Sequence, residues 1–239
     1  MSGALRDRTA LVTGASRGIG AAVARALAGE GARLALVARG TAPLEQLASE
    51  LGKGSIALSC DLTDEPGVRQ MALTVTTAFN GAPDIVVNNA GIFAVAKLDA
   101  MSPAVFRNVL DTNLVAPFLV VREFIGAMRA RGSGHFLTLG SVADRAVFPE
   151  NGAYSPAKFA LRAMHEVLRD ELKGSGVRAT LVSPGPVDTA MWNGISFGDD
   201  RAMPDRSTML SANAVASAVL FAVTQSPAVN IDELRLSHA

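Results

Sequence analysis

The chain has 239 residues, and its 22 basic side chains balance its 22 acidic ones, so the formal net charge is zero. This balance argues against a nucleic-acid-binding protein, which presents clustered lysines and arginines to phosphates. Hydrophobic residues make up 49% of the chain and charged residues 18%, a composition that excludes wholesale disorder and indicates a globular protein.

Cysteine and histidine are too sparse to build a disulfide framework or a multi-cysteine metal site. The only cysteine is Cys60, and the histidines His135, His165 and His238 show no ligand spacing. The N-terminal segment lacks the long apolar stretch of a signal peptide, and apolar runs end before the roughly 18 residues of a membrane span. These features predict a cytoplasmic protein that binds no metal, membrane or nucleic acid.

Short β-branched runs alternate with alanine-rich helical segments along the whole chain. The predicted strands are Thr9–Thr13, Arg33–Ala38, Ser55–Cys60, Asp84–Asn88, His135–Leu139, Arg178–Val182 and Ile231–Leu236. The predicted helices are Gly18–Glu30, Pro43–Leu51, Glu65–Phe79, Pro103–Leu110, Leu114–Arg131, Tyr154–Leu172 and Ala212–Thr224. Strands that are apolar throughout and are separated by helices indicate a parallel sheet buried on both faces. We therefore predict one α/β domain over residues 1–239, with a doubly wound parallel sheet of about seven strands.

One long stretch, Ala190–Leu210, has no clear helical or strand period and carries the only tryptophan. Long connections without secondary structure of their own are usually functional lids or mobile loops. We therefore expect a substrate lid over about residues 190–210.

A glycine-rich turn joins the first strand to the first helix. It contains Gly14, Gly18 and Gly20, with Ser16, Arg17 and Ile19 between them. Glycines let the backbone approach a pyrophosphate closely, and the following helix N-terminus offers unpaired N–H groups to it. The spacing differs from Gly-x-Gly-x-x-Gly, and a glycine cluster of this kind can also be only a tight turn.

Two arginines favour NADP(H) over NAD(H) as the cofactor. An acidic residue at the end of the second strand would accept hydrogen bonds from an unmodified adenosine ribose, but this strand runs into Arg39. Arg17 lies within the glycine turn. Two guanidiniums near one ribose suit a 2′-phosphate, although both could also be solvated surface charges.

Further motifs follow in a fixed order along the chain. They are Asp61 after the third strand, Asn88-Asn89-Ala90-Gly91 after the fourth, Asn113, Ser141 after the fifth, Tyr154-x3-Lys158, and Pro184-Gly185-Pro186-Val187-Asp188-Thr189 after the sixth. Each piece is weak alone, but together they resemble the short-chain dehydrogenase/reductase family from Leu5 to about Leu236. The resemblance implies a single-domain Rossmann fold and an NADP-preferring member of the family.

The resemblance also implies catalytic roles for four residues. Tyr154 takes the role of general acid/base, and Lys158, four residues on along one helix face, lowers its pKa and holds the nicotinamide ribose. Ser141 hydrogen-bonds the substrate carbonyl, and Asn113 holds a water that joins the lysine to solvent. Cofactor contacts implied by the family are Gly14, Ser16, Arg17, Gly18, Ile19, Gly20, Arg39, Asp61, Leu62, Asn89, Ala90, Gly91, Tyr154, Lys158, Pro184, Gly185, Val187 and Thr189.

Apolar residues in three loops indicate a carbonyl or alcohol substrate on an apolar or aromatic body. They are Met191, Trp192, Ile195, Phe197, Met203 and Met209 in the lid, Val142, Val147, Phe148 and Pro149 after Ser141, and Ile92, Phe93 and Val95 after the fourth strand. The lid residues could also merely pack the loop down. Asp144, Arg145 and Glu150 could select polar groups or could be exposed.

The predicted helices Leu114–Arg131 and Tyr154–Leu172 are apolar on more than one face, so each needs a second partner. In the family these helices pair between subunits, so we expect a homodimer or homotetramer. The leading prediction is an NADPH-dependent carbonyl reductase. One alternative is a 3-oxoacyl-thioester (acyl carrier protein) reductase, and another is a catalytically silent, dinucleotide-sensing regulatory protein.

Overall fold

The seven strands of the main sheet follow the predicted runs closely, while the two short strands of a second sheet were not predicted. The computed structural model describes residues 3–52, 54–197 and 205–239. Its strands are β1 (Thr9–Thr13), β2 (Arg33–Ala38), β3 (Ile56–Ser59), β4 (Ile85–Asn88), β5 (Gly134–Leu139), β6 (Val177–Pro184), β7 (Val187–Asp188), β8 (Leu210–Ser211) and β9 (Glu233–Leu236).

Helices connect the strands of the main sheet. They are α1 (Gly18–Gly29), α2 (Thr41–Leu51), α3 (Glu65–Phe79), α4 (Pro103–Leu110), α5 (Ala116–Arg131), α6 (Tyr154–Glu171) and α7 (Ala212–Val223). Asp64 and Ser102 cap α3 and α4, each accepting a hydrogen bond from a backbone N–H in the first helical turn.

Seven strands form one parallel sheet in the order β3-β2-β1-β4-β5-β6-β9. One apolar cluster packs α1 and α7 on one face, and a second packs α3 and α5 on the other. The predicted single-domain Rossmann fold is therefore confirmed. The strand order reverses between β1 and β4, which is where α/β sheets of this kind bind ligands.

The two predicted helices Pro103–Leu110 and Leu114–Arg131 are joined into one helical stretch. A π-helical turn, Asp111–Val115, links α4 to α5 without a break. Pro117 has no N–H to donate to the Asn113 carbonyl four residues earlier, so a regular α-helix cannot be completed here. Turns of this type occur frequently at functional sites.

Among the described residues, the stretch Pro103–Arg131 is the one helix long and apolar enough, by length and composition, to cross a membrane. The core helix of a soluble protein passes the same test. This stretch packs Val120, Phe124 and Met128 into the cluster beneath the sheet. Packing within the fold therefore explains part of its apolar character.

Candidate active site

The carboxyl ends of β1, β4, β5 and β6 bring the motif residues to one edge of the sheet. β1 runs into the glycine turn, and β4 ends at Asn88. β5 leads to Ser141 and β6 ends at Pro184. Because parallel strands all end at the same edge, residues that are distant in sequence meet there.

The glycine turn forms a cradle that side chains would fill. A Cβ on Gly20 would lie 2.2 Å from the Gly14 carbonyl oxygen, and one on Gly14 would lie 2.9 Å from the Ala90 Cα. Gly14 and Gly18 have φ values of +65° and +57°, which favour glycine. Arg17 occupies the N-cap position of α1 without a side-chain cap, so the first helical N–H groups face outward for a phosphate. The residues present therefore fit a dinucleotide.

Ser16 and Ile19 occupy different environments in the same turn. Ser16 is partly buried between Ala15 and Arg17, whereas Ile19 packs against the cluster under α1 and α7. Only the backbone of Ile19 is therefore available at the phosphate side.

Asn89 supports the glycine turn. Its side-chain amide donates to the carbonyls of Thr13 at 2.9 Å and Gly14 at 3.3 Å, and the backbone N–H groups of Asn89 and Ala90 donate to the Thr13 hydroxyl. The ribose contact that the resemblance implies for Asn89 is therefore accompanied by a role in holding β1 and β4 together.

The two arginines proposed for the 2′-phosphate lie at the surface. Arg17 and Arg39 are both exposed, and Arg39 contributes to lowering the pKa of Asp61. The larger cause of that low pKa is Thr63, whose N–H and hydroxyl both donate to Asp61 Oδ1, at 3.0 and 2.8 Å. Leu62 is buried beside it, so its backbone and not its side chain faces the cofactor edge.

Ser141 begins a single turn of 3₁₀ helix after β5. Its Oγ accepts a hydrogen bond from the Ala143 N–H at 3.1 Å, and its own N–H donates to Asp144 Oδ2 at 3.2 Å. A hydroxyl has one hydrogen to donate, and accepting from Ala143 leaves that hydrogen for an oxygen in the site.

Tyr154 and Lys158 lie one turn apart at the start of α6. The Lys158 ammonium is 5.8 Å from the centre of the Tyr154 ring and donates to the Leu139 carbonyl at 2.7 Å. Burial lowers the pKa of Lys158 to about 8. Burial raises the pKa of Tyr154, and the hydrogen bond with Ser141 opposes that rise. The pKa of Tyr154 is therefore raised and not lowered as predicted, because burial dominates and the opposing influence comes from Ser141 and not from Lys158.

Asn113 is fully buried in the π turn, and both polar atoms of its side chain are already paired. Its Oδ1 accepts from the Ile92 N–H and its Nδ2 donates to the Ile92 carbonyl, each at 2.8 Å. A Cβ on Gly91 would come within 3.1 Å of the same Oδ1. The Asn113 backbone carbonyl lacks its regular helical donor at Pro117, so it is suited to accept a hydrogen bond from a water.

The segment after β6 lies beside the glycine turn. Thr189 is the nearest side chain to the position that a Cβ would take on Gly18, at 3.3 Å. Gly185 is anchored by its N–H to the Leu236 carbonyl, and Val187 is buried in β7 next to Pro184 at the end of β6. This places Thr189 at the pyrophosphate end of the predicted cofactor site.

Three aromatic rings form a row from Tyr154 to the lid. Phe93 meets Tyr154 edge-on with ring centres 4.8 Å apart, and it meets Trp192 at 5.5 Å. Trp192 Nε1 donates to the Val187 carbonyl at 2.9 Å. The predicted lid thus begins against the site, while its residues 198–204, including Met203, lie outside the described residues.

Two residues near the site are not singled out by the motifs. Phe93 belongs to the apolar residues after β4, but its contact with Tyr154 has no sequence signal. The sequence allowed two interpretations of Asp144, a role in selecting polar groups of the substrate or a position exposed to solvent. The structure contradicts both, because the Asp144 side chain is completely buried. Its place three residues after Ser141 is a capping pattern that could have indicated this.

The two buried histidines have structural roles. His135 Nε2 pairs with the Thr180 hydroxyl at 2.8 Å and His165 Nδ1 with the Thr138 hydroxyl at 2.9 Å, on opposite faces of the sheet. Within the described residues, no three histidine, cysteine or carboxylate side chains come together as a metal site would require.

Comparison with known proteins agrees with this geometry. The family model for short chain dehydrogenases matches residues 8–199. An uncharacterized oxidoreductase of Staphylococcus epidermidis is 33% identical over 232 residues, which cover 97% of each protein.

Two solved structures are similar over nearly their whole length. An alcohol dehydrogenase from the archaeon Thermococcus sibiricus, complexed with 5-hydroxy-NADP, has a TM-score of 0.86 at 30% identity and covers 97% of this chain and 96% of its own. A metagenomic short-chain oxidoreductase in complex with NADP has a TM-score of 0.83 at 31% identity, with 98% and 99% covered. The chain therefore belongs to the short-chain dehydrogenase/reductase family, whose members are NAD(P)-dependent oxidoreductases acting on CH–OH or C=O groups.

Proposed function

We propose that the protein is an NADP(H)-dependent oxidoreductase that interconverts a ketone or aldehyde and an alcohol on an apolar or aromatic body. The observation that carries this proposal is the cluster of Ser141, Tyr154 and Lys158 at the carboxyl edge of the sheet, where the Lys158 ammonium lies 5.8 Å from the centre of the Tyr154 ring. When bound, the nicotinamide supplies or accepts the hydride at the carbonyl carbon.

The protein groups move the proton and stabilise the oxygen. Tyr154 donates its phenolic proton to the substrate oxygen during reduction, and the Ser141 hydroxyl donates a hydrogen bond to the same oxygen as negative charge develops on it. The pKa of Lys158 is about 8, so its ammonium can release a proton near neutral pH and help to reprotonate Tyr154. The Asn113 carbonyl, which lacks its regular helical donor at Pro117, is suited to hold the water that leads this relay to solvent.

Cofactor selection rests on the two exposed arginines and on the relatives. No carboxylate follows β2 to accept hydrogen bonds from a ribose, and Arg39 stands there instead, with Arg17 in the neighbouring turn. The two structures described above hold NADP or a derivative of it. We infer that Arg17 and Arg39 bind the 2′-phosphate through charge-assisted hydrogen bonds.

The apolar substrate class is favoured by the aromatic row beside the proton donor. Phe93 and Trp192 lie on the lid side of Tyr154 and offer ring faces and edges rather than hydrogen-bonding groups. An aryl or other apolar ketone would bury its body against these rings while its carbonyl meets Ser141 and Tyr154.

A substrate panel followed by NADPH absorbance tests the proposed activity. It should include an aryl ketone, a short polar ketone and a 3-oxoacyl thioester, with wild-type protein and Tyr154→Phe. We expect the aryl ketone to be turned over fastest and Tyr154→Phe to lose about 10²–10⁴-fold in kcat, the usual contribution of general acid catalysis. Binding of NADPH without turnover of any carbonyl would contradict the proposal and favour a sensor.

The cofactor preference has its own test. Arg39→Ala should weaken NADPH binding by about 10- to 100-fold, because hydrogen bonds to charged groups contribute about 1.5–3 kcal/mol, and should leave NADH binding unchanged. Arg129→Ala is a matched control, since Arg129 is an exposed arginine in the last turn of α5, at the opposite edge of the sheet. An unchanged ratio of the two affinities in Arg39→Ala would refute the role of Arg39.

A further inference from the structure

Asp144 is a carboxylate with no solvent exposure, three residues after Ser141, and the mechanism above does not use it. Its Oδ2 accepts hydrogen bonds from the Ser141 N–H at 3.2 Å and from the Ser183 hydroxyl at 2.5 Å. Its Oδ1 accepts from Arg145 Nε at 2.7 Å. A buried charge is expensive unless it is paired in this way, so the arrangement needs all three partners.

Arg145 extends the network to the edge of the sheet. Besides Asp144, its guanidinium bonds to the Glu233 carboxylate on β9 and lies 3.4 Å from the Ser183 hydroxyl on β6. The Arg145 side chain is 17% exposed and that of Glu233 is 28% exposed, so the network runs from the interior to the surface. The loop that carries Ser141 is thereby fastened to two strands.

The backbone before Ser141 makes room for this network. A Cβ on Gly140 would lie 2.5 Å from the Ser183 hydroxyl and 2.6 Å from Asp144 Oδ2. Any side chain at this position would push the carboxylate away from the Ser141 N–H. The glycine is therefore required by the packing of Asp144 against β6 and not by its backbone conformation, since its φ lies outside the left-handed region.

We propose that Asp144, held by Arg145 and Glu233, is a positioning residue that fixes Ser141 and sets the charge environment of Tyr154. Asp144 holds the Ser141 N–H while the Ser141 Oγ accepts from Ala143, so the hydroxyl hydrogen stays available to donate into the site. This inference rests on the proposed catalytic role of Ser141 and Tyr154. It adds a residue that acts on them without touching substrate.

The charge of Asp144 gives the network a second effect. The carboxylate raises the pKa of both Tyr154 and Lys158, although burial is the larger influence on each. The groups that face Asp144 are Arg145 on its own loop, Tyr154 and Lys158 on α6, and Ser183 on β6, with Glu233 on β9 reached through Arg145. Neutralising Asp144 should therefore lower the pKa of Tyr154 and favour its ionised form at a lower pH.

Alcohol oxidation measured across pH tests the proposal, with NADP⁺ and the alcohol of the best substrate. Asp144→Asn should lower kcat by about 10- to 100-fold, the scale of a small misplacement of a catalytic group, and should move the rising limb of the pH profile to lower pH. Glu233→Gln, far from the reacting atoms, should lower kcat by about 3- to 10-fold and leave NADPH binding unchanged. Glu166→Gln is the matched control, because it breaks the exposed Arg162–Glu166 pair on α6.

The outcomes separate this inference from the proposed function. Full activity in Tyr154→Phe would remove the proposed function itself. Loss of activity in Tyr154→Phe, with Asp144→Asn and Glu233→Gln within twofold of Glu166→Gln in kcat and unmoved in pH profile, would overturn the positioning role. A lower Tm with unchanged kinetics would overturn it as well. Should Asp144→Asn fail to fold, Glu233→Gln decides the question by its kcat, since Glu233 is partly exposed at the sheet edge.

Discussion

The Lys158 ammonium donates a hydrogen bond to the Leu139 carbonyl across 2.7 Å, which ties the start of α6 to the end of β5. The lysine is 5% exposed, and burial lowers its pKa from 10.5 to about 8. Between these two values the unfolded chain binds more protons than the folded one, so the stability of the wild-type protein rises with pH across this window. Below pH 8 the full cost of the buried cation is present.

Replacing this lysine should therefore abolish activity and increase the free energy of unfolding near neutral pH. Lys158→Met removes a cost of about 3 kcal/mol at pH 7, the equivalent of the pKa shift, and leaves the Leu139 carbonyl without its donor, which costs about 1–3 kcal/mol. We expect an inactive variant that is more stable by about 1 kcal/mol at pH 7 and loses this advantage by pH 9.5. Urea unfolding at both pH values measures the difference. An identical difference at pH 7 and pH 9.5 would contradict the assignment.

Two buried histidines should make the fold sensitive to acid. Burial is the main cause that lowers the pKa of His135 to about 3 and that of His165 to about 4. As pH falls below the ordinary value of 6.5, the unfolded chain takes up protons that the folded chain does not, so stability is lost down to about pH 4 for His165 and about pH 3 for His135. His165→Gln should reduce the dependence of unfolding free energy on pH by up to about 1.4 kcal/mol per pH unit between pH 6 and pH 5.

Denaturant unfolding at pH 7.5, 6 and 5 measures that slope. His238→Gln is the control, because it makes the same substitution at a histidine that is exposed at the C-terminal end of the chain. Equal slopes for wild type and His165→Gln would show that His165 titrates as it does in the unfolded chain.

Local patterns were enough to predict the seven strands of the main sheet, most helices and the placement of Ser141, Tyr154 and Lys158, but not the short strands β7 and β8. Apolar runs show where along the chain a strand lies, and the four-residue spacing of Tyr154 and Lys158 puts both on the same helix face. The burial of Asp144 could not be predicted in this way, since its network depends on Glu233, 89 positions later in the chain. The pairing of the Asn113 side chain with the Ile92 backbone likewise joins residues 21 positions apart and has no periodic signal.

The glycine turn should tolerate no side chain at Gly20, because the space there is already filled. Gly20→Ala would place a methyl group 2.2 Å from the Gly14 carbonyl oxygen and 2.5 Å from Asn89 Nδ2, so the turn has to open. We expect at least a 10-fold loss in NADPH affinity and a lower Tm, since close backbone approach to the pyrophosphate is lost. Gly29→Ala is the control, because Gly29 ends α1 with nothing within 4 Å and alanine should stabilise a helix there by about 0.5–1 kcal/mol. Equal NADPH affinities in the two variants would rule out the cradle.

An exposed apolar surface on α5 and α6 has no partner among the described residues. Its largest members are Phe118, which is 47% exposed, and Phe159 and Val167, which are 41% and 58% exposed. Apolar groups exposed together on neighbouring helices mark an interaction surface. We propose that a second copy of the chain covers it, so that the active protein is a dimer or tetramer.

Phe118→Glu should therefore yield monomers, because the new carboxylate would be buried without a partner in the interface. Light scattering at several protein concentrations should give the mass of a dimer or tetramer for the wild type and that of a single chain for the variant. Leu73→Glu provides the matched control, since Leu73 is 58% exposed on α3 and does not belong to α5 or α6, and the change should leave the mass unaltered. A wild-type protein that remains monomeric at micromolar concentration would refute the proposal, because an interface that buries several aromatic and aliphatic side chains should hold at that dilution.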